Sequence, residues 1–152
     1  MNWTVSGILE LKLLDPNHEL IKNYGIVSDK LITDAFAEYY IDQLQGLVSG
    51  INDFKYHDSG TGTTAESTSN TALVTPSGIA RVTGTQVEGS TTKTYKTVAT
   101  ITYDGAYDIT EWGLFNASTS GTLMDRAVFA AVTVANNYQI EFTYNHIALS
   151  GG

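Results

Sequence analysis

The stretch 107–134, YDITEWGLFNASTSGTLMDRAVFAAVTV, limits what this chain can fold into more than any other. Two apolar-rich runs flank the polar segment 116–121, the pattern of two strands joined by a turn. Closing that segment as a hairpin sets Phe115 opposite Thr122, Gly113 opposite Met124 and Ile109 opposite Val128. Glu111 then faces Arg126. Opposite charges across two strands stabilise their pairing, and a one-residue slip would throw each onto the other face. Glu111 and Arg126 are therefore expected to be a structural pair that pins the register. A catalytic pair would need a pocket and a second acid or base, and the sequence supplies neither.

The rest of the chain follows the same grammar. With 152 residues, 42% apolar content and few charged side chains, residues 1–152 read as one β-rich domain with a core of its own. Residues 3–24 predict a hairpin: Trp3, Val5, Leu9, Leu11 and Leu13 alternate with polar neighbours, and Asp15-Pro16-Asn17 supplies turn chemistry. Residues 25–28 are expected to be a connection. The one helix is expected at 29–45, where Leu31/Ile32, Ala35/Phe36, Tyr39/Tyr40 and Leu44 make an apolar stripe, Ser28 or Asp29 caps the start and Gly46 ends it. That stripe reads as a face packed on a sheet, with a partner-binding helix as the rarer alternative.

Residues 59–70, SGTGTTAESTSN, carry nothing apolar larger than alanine and predict an exposed loop. A turn is expected at 89–92. From residue 94 to 146, three turns at 104–106, 116–121 and 135–137 predict a four-stranded antiparallel meander, with Ile101 beside Ile109, Ala99 beside Glu111 and Val132 beside Ile140. Its second face, with Trp112, Leu114, Leu123 and Phe129, is also apolar, so both faces must be covered. The fold class is thus mainly β: an antiparallel β-sandwich or barrel-like domain with one α-helix near residues 29–45.

Searching the same residues for chemistry yields little. The net charge of −8 argues against nucleic acid, which needs clustered Lys and Arg. The absence of cysteine removes thiolate sites and disulfides. No basic start precedes the apolar N-terminal run, and no run reaches membrane-spanning length. Asp58-Ser59-Gly60 matches a short aspartic-protease pattern, but that mechanism needs two carboxylates sharing a proton, and the polar residues that follow read as a solvent loop. His18, His57 and His146 have no metal-ligand spacing around them. The expectation is no catalytic residue, no metal site and no cofactor.

Three pieces together resemble a family: SGTGTTAESTSNTALVTP at 59–76, Arg81 within IARVTGT, and ITEWGLFNASTSGTLMDRAVF at 109–129. They are similar to small virion structural proteins of tailed bacteriophages, and to the N-terminal region of phage tail-collar fibre proteins. Collar fibres continue into long fibre and tip regions, whereas this sequence stops at Gly152, so the resemblance points to compact attachment on a shell or ring. It implies a non-enzymatic capsid decoration (cement) protein, made in the host cytoplasm and carried on the virion. Its implied partners are further copies of itself, as a homotrimer, and the phage major capsid protein or tail proteins, with no nucleic acid and no membrane. A tail, collar or baseplate/fibre-adaptor component is the alternative. A carbohydrate-binding module is the second, resting on Tyr and Trp side chains available for sugar stacking.

Overall fold

The computed structural model describes residues 4–29, 32–89 and 91–149. Trp3, Leu31 and Ser90, expected in the first strand, the helix stripe and a turn, lie outside the described residues. The chain runs β1 (Thr4–Leu14), β2 (Leu20–Ser28), α1 (Asp34–Leu44), a 3-10 turn at Ile51–Asp53, β3 (Tyr56–Gly60), β4 (Val82–Thr83), β5 (Thr85–Glu88), β6 (Thr94–Thr102), β7 (Tyr107–Phe115), β8 (Leu123–Val134) and β9 (Gln139–Leu149). Two antiparallel sheets result, ordered β2-β1-β9-β6-β5 and β4-β3-β7-β8. This is the sandwich that alternation and two apolar faces demand.

The N-terminal hairpin forms as predicted around Asp15, whose Oδ1 accepts from the N–H groups of Asn17 at 2.8 Å and Glu19 at 3.0 Å. Its second strand is longer than expected. Gly25, at φ 64°, does not end β2; the strand absorbs it within three register shifts against β1 and runs on to Ser28. The helix is shorter: it starts at Asp34, and Asp29 is not part of it. Thr33 is the cap, its hydroxyl accepting from Phe36 N–H at 3.1 Å and donating to the Leu123 carbonyl at 2.6 Å. That tertiary bond to β8 selects Thr33 over the earlier Ser28 and Asp29, which offer equal local capping. At the other end Gly46, at φ 75°, closes the helix as expected: its N–H reaches the Gln43 carbonyl, and Leu47 N–H reaches that of Asp42.

The four-stranded meander does not form. β6 pairs with β9, setting Ile101 beside Ile140 and Ala99 beside Phe142, while β7 pairs with β8 in the other sheet. Residues 116–121 close their hairpin as expected, but 104–106 and 135–137 instead carry the chain across the sandwich side by side: Tyr103 N–H donates to the Tyr138 carbonyl at 2.9 Å and Asn137 N–H to that of Tyr103 at 2.7 Å. The split has a physical cause. In one flat sheet Ile101, Ile109, Val132 and Ile140 would line a single face in need of a cover. In two sheets they pack on each other. Leu9, Leu11, Leu13, Ile101, Ile140, Phe142 and Tyr144 meet Ile109, Trp112, Leu114, Ala127 and Val132 in one core, with Phe36 of α1 and Phe54 at one end.

Candidate functional site

The outer face of β7–β8 is where the sequence-singled residues converge. Glu111 and Arg126 do pair, Nε to Oε2 at 2.8 Å, with side chains 0% and 1% exposed. They are not opposite each other, as the hairpin reading had them. Gly113 faces Arg126, and Glu111 faces Val128. The closing turn takes one residue more than expected, so that Phe115 faces Leu123, and a bulge at Met124 takes another. The two slips sum to two residues, and the charged pair stays on one face.

The loop predicted to be exposed is so at 63–65 and 67–69, but its first residues and the stretch after it cover that face. Ser59 and Gly60 belong to β3 and are buried, as is Gly62. Residues 61–78 form a strap that returns along β3: Thr61 N–H donates to the Thr75 carbonyl at 2.8 Å, and Ser77 N–H to that of Ser59 at 2.9 Å. Glu111 holds it from beneath. Its Oε1 accepts from the N–H of Gly62 at 3.1 Å and of Thr75 at 2.7 Å, and its Oε2 from Val74 N–H at 3.1 Å. Arg126 holds the far side, donating to the Thr64 carbonyl at 3.0 Å and to Asn70 Oδ1 at 3.3 Å. Burial raises the Glu111 carboxyl, but the N–H groups of Thr75 and Val74 and the Arg126 guanidinium outweigh it and hold the carboxyl below its ordinary range.

Two glycines make this approach fit. A Cβ on Gly62 would lie 2.5 Å from Glu111 Oε1, and one on Gly60 would collide with the Thr75 carbonyl oxygen. The G-T-G spacing therefore serves close backbone packing rather than phosphate. On the same face Leu73 of the strap packs with Phe115 and Leu123 in a second small apolar cluster.

A second arginine fastens the strap's return. Arg81 Nε donates to Asp58 Oδ2 at 3.0 Å, and its guanidinium sits 3.4 Å from the Phe115 ring centroid. Its other donors reach the carbonyls of Ala117 at 2.9 Å and Ser120 at 2.6 Å, holding the β7–β8 turn. Asp58, the acid of the protease-like triplet, is thus tied in an ion pair. His57 points to the other side, as adjacent strand residues do. Its Nδ1 accepts from Trp112 Nε1 at 3.1 Å, which leaves Nε2 as donor to Thr97 Oγ1 at 3.1 Å. Burial lowers its pKa to about 3, so the ring stays neutral.

Two features were not anticipated. Asp125, only 5% exposed, accepts from the Tyr144 hydroxyl at 2.9 Å and so bridges the sheets. Burial raises its carboxyl to about 7, with the charge of Glu66 adding to the rise against the hydrogen bond from Tyr144. Alternation does set Asp125 on the face of Trp112, Leu114 and Ala127, but nothing in the sequence marks Tyr144, on a strand of the other sheet, as its partner. Beneath α1, Phe36, Tyr40, Phe54, Tyr95 and His146 line an apolar cavity of about 390 Å³. The sugar-stacking expectation loses Trp112, which is fully buried with Tyr103 and Tyr144.

Among the described residues no group of three His, Cys, Asp or Glu side chains is placed to hold a metal ion, and no helix is long and apolar enough to cross a membrane. Glu111, Arg126, Asp58 and Arg81 fasten one segment of backbone to a sheet with charge-assisted bonds. Comparison with protein-family models, curated proteins and solved structures found no match.

Proposed function

We propose that this chain is a structural protein of a tailed-phage virion, a non-enzymatic capsid decoration protein that reinforces the shell as a homo-oligomer. One observation carries the reading. The three stretches that carry the phage resemblance meet at one place: the 59–76 strap, Arg81 and the 109–129 hairpin are joined through Glu111, Arg126 and Asp58. Such a motif set has a mechanical use. It makes a rigid sandwich without disulfides, suited to repeated attachment on a particle. Exposed Leu20, Ile21 and Ile26 of β2 offer apolar surface for neighbouring copies or coat subunits; a trimer fits attachment at capsid three-fold positions.

The test is reconstitution. The purified protein is added to expanded capsids lacking it, and to purified tails. Saturable binding that raises the capsid melting temperature supports decoration. Binding to tails alone transfers the protein to the collar or baseplate, and binding to neither removes the virion reading.

A further inference from the structure

The outward side of α1 carries two stripes with different chemistry. Asp34, Glu38 and Asp42 recur every four residues, and Ala37, Ile41 and Leu44 run beside them. Residues at these spacings stack along a helix, so one border of this face is acidic and the other apolar; Glu38 is exposed, Asp42 is half-buried and Asp34 also accepts from the Thr68 hydroxyl at 3.1 Å. Ile41 is 49% exposed, Leu44 68%, and Leu47, just past the helix, 71%. The apolar stripe is continuous with a cavity of about 270 Å³ between α1 and β9, lined by Ile32, Ala37, Tyr40, Ile41 and Ala148 among others. No basic residue stands in the last turn, where the negative end of the helix dipole would favour one. Like charges four apart repel, and the fold gains nothing from apolar side chains left in water.

We propose that this face of α1 docks a protein segment of complementary pattern: an amphipathic helix with bulky aliphatic side chains on one side and Lys or Arg along the adjoining border. Charge selects that occupant. A second copy of this chain, at net charge −8, would bring acidic stripes together, and an anionic lipid surface would be repelled in the same way. Helix-in-groove docking uses apolar anchors at the spacing that Ala37, Ile41 and Leu44 provide for. The inference rests on the surface of α1 and holds whether or not the chain belongs to a virion.

The test is titration of the purified chain with a synthetic amphipathic Leu/Lys helix, a Ser/Lys peptide of equal charge and a Leu/Glu peptide. The Leu/Lys helix binds, and binding weakens as salt rises past about 0.15 M, where screening sets in beyond about 8 Å. Ile41→Ser and Leu44→Ser each weaken it by about tenfold; Leu44→Ser, at a residue 68% exposed, leaves the melting temperature nearly unchanged, whereas Ile41→Ser, at one half-buried against the cavity, lowers it slightly. Glu38→Gln with Asp42→Asn weakens it and flattens the salt dependence. Equal binding of the Ser/Lys or Leu/Glu peptide, no binding of the Leu/Lys helix, or indifference to the α1 substitutions overturns the proposal. So does self-association that Leu44→Ser abolishes, which would make a second copy the occupant.

Discussion

Arg126 reaches Glu111 diagonally, from a position opposite Gly113, and the two close at 2.8 Å with neither side chain exposed to water. A side chain at 113 would stand in the space used by Leu73, whose Cδ2 would be 2.8 Å from a Cβ there. Register, glycine and strap are thus one device. Because Glu111 also accepts three backbone N–H groups, the two partners are not equivalent.

Arg126→Met leaves a buried carboxylate that keeps its three N–H donors, and it is expected to cost about 3–5 kcal/mol. Glu111→Leu strands Arg126 and those donors together and costs at least as much. The double variant Glu111→Leu/Arg126→Met recovers part of the loss but not all, because the N–H groups of Gly62, Val74 and Thr75 stay unpaired. Urea denaturation of the four proteins reads the coupling. A double variant that folds poorly while each single variant folds normally would contradict the pairing.

Gly62→Ala is expected to lift the strap without touching the core, since the added Cβ meets Glu111 Oε1 at 2.5 Å. A cost of about 1–3 kcal/mol is typical of such overpacking. Limited proteolysis within residues 63–70 should speed up well before global unfolding does. Unchanged cleavage would mean that the strap tolerates the methyl.

Arg81→Lys keeps a charge near Asp58 but gives up the stacking on Phe115 and the forked contact with the Ala117 and Ser120 carbonyls. Stability should fall by about 1–2 kcal/mol, with exchange broadening in NMR spectra confined to residues 116–122. A variant as stable as the parent would show that Arg81 acts as a point charge only.

The pH profile separates one buried carboxyl from two buried histidines. Asp125 has a folded pKa of about 7 against 3.8 for the free group, so its contribution is fully present below pH 3.8 and is lost as pH rises through 7. His57 is depressed to about 3 and His146 to about 4; their contributions are present above the usual 6.5 and are lost as pH falls. The stability of the parent minus that of Asp125→Asn should therefore decline by about 1.4 kcal/mol per pH unit between about pH 4 and 7 and then level off. A flat difference would mean that Asp125 is solvated.

Much of the sandwich was legible because period-two alternation reports burial directly: Leu9, Leu11 and Leu13 fall on the core as their spacing says. Which strands share a sheet was not. Turn residues such as Asp104-Gly105 and Asn136-Asn137 fit a hairpin and a crossing between sheets equally well, and only the demand that both apolar faces be covered decides between them. The pairing of Glu111 with Arg126 was legible while its register was not, since two single-residue slips cancel in face but not in position. The strap was hidden for a different reason. Its residues are polar because backbone N–H and carbonyl groups, not apolar side chains, make its contacts with Glu111 and Arg126, and Leu73 is its one buried apolar anchor.

Native-state hydrogen exchange of the Gly62, Val74 and Thr75 amides tests the strap most directly. All three are expected to exchange only through global unfolding, at the rate of β7 core amides such as Trp112, because each is bonded to a buried carboxylate. Exchange at the rate of an open loop, with the β7 core amides still protected, would contradict it.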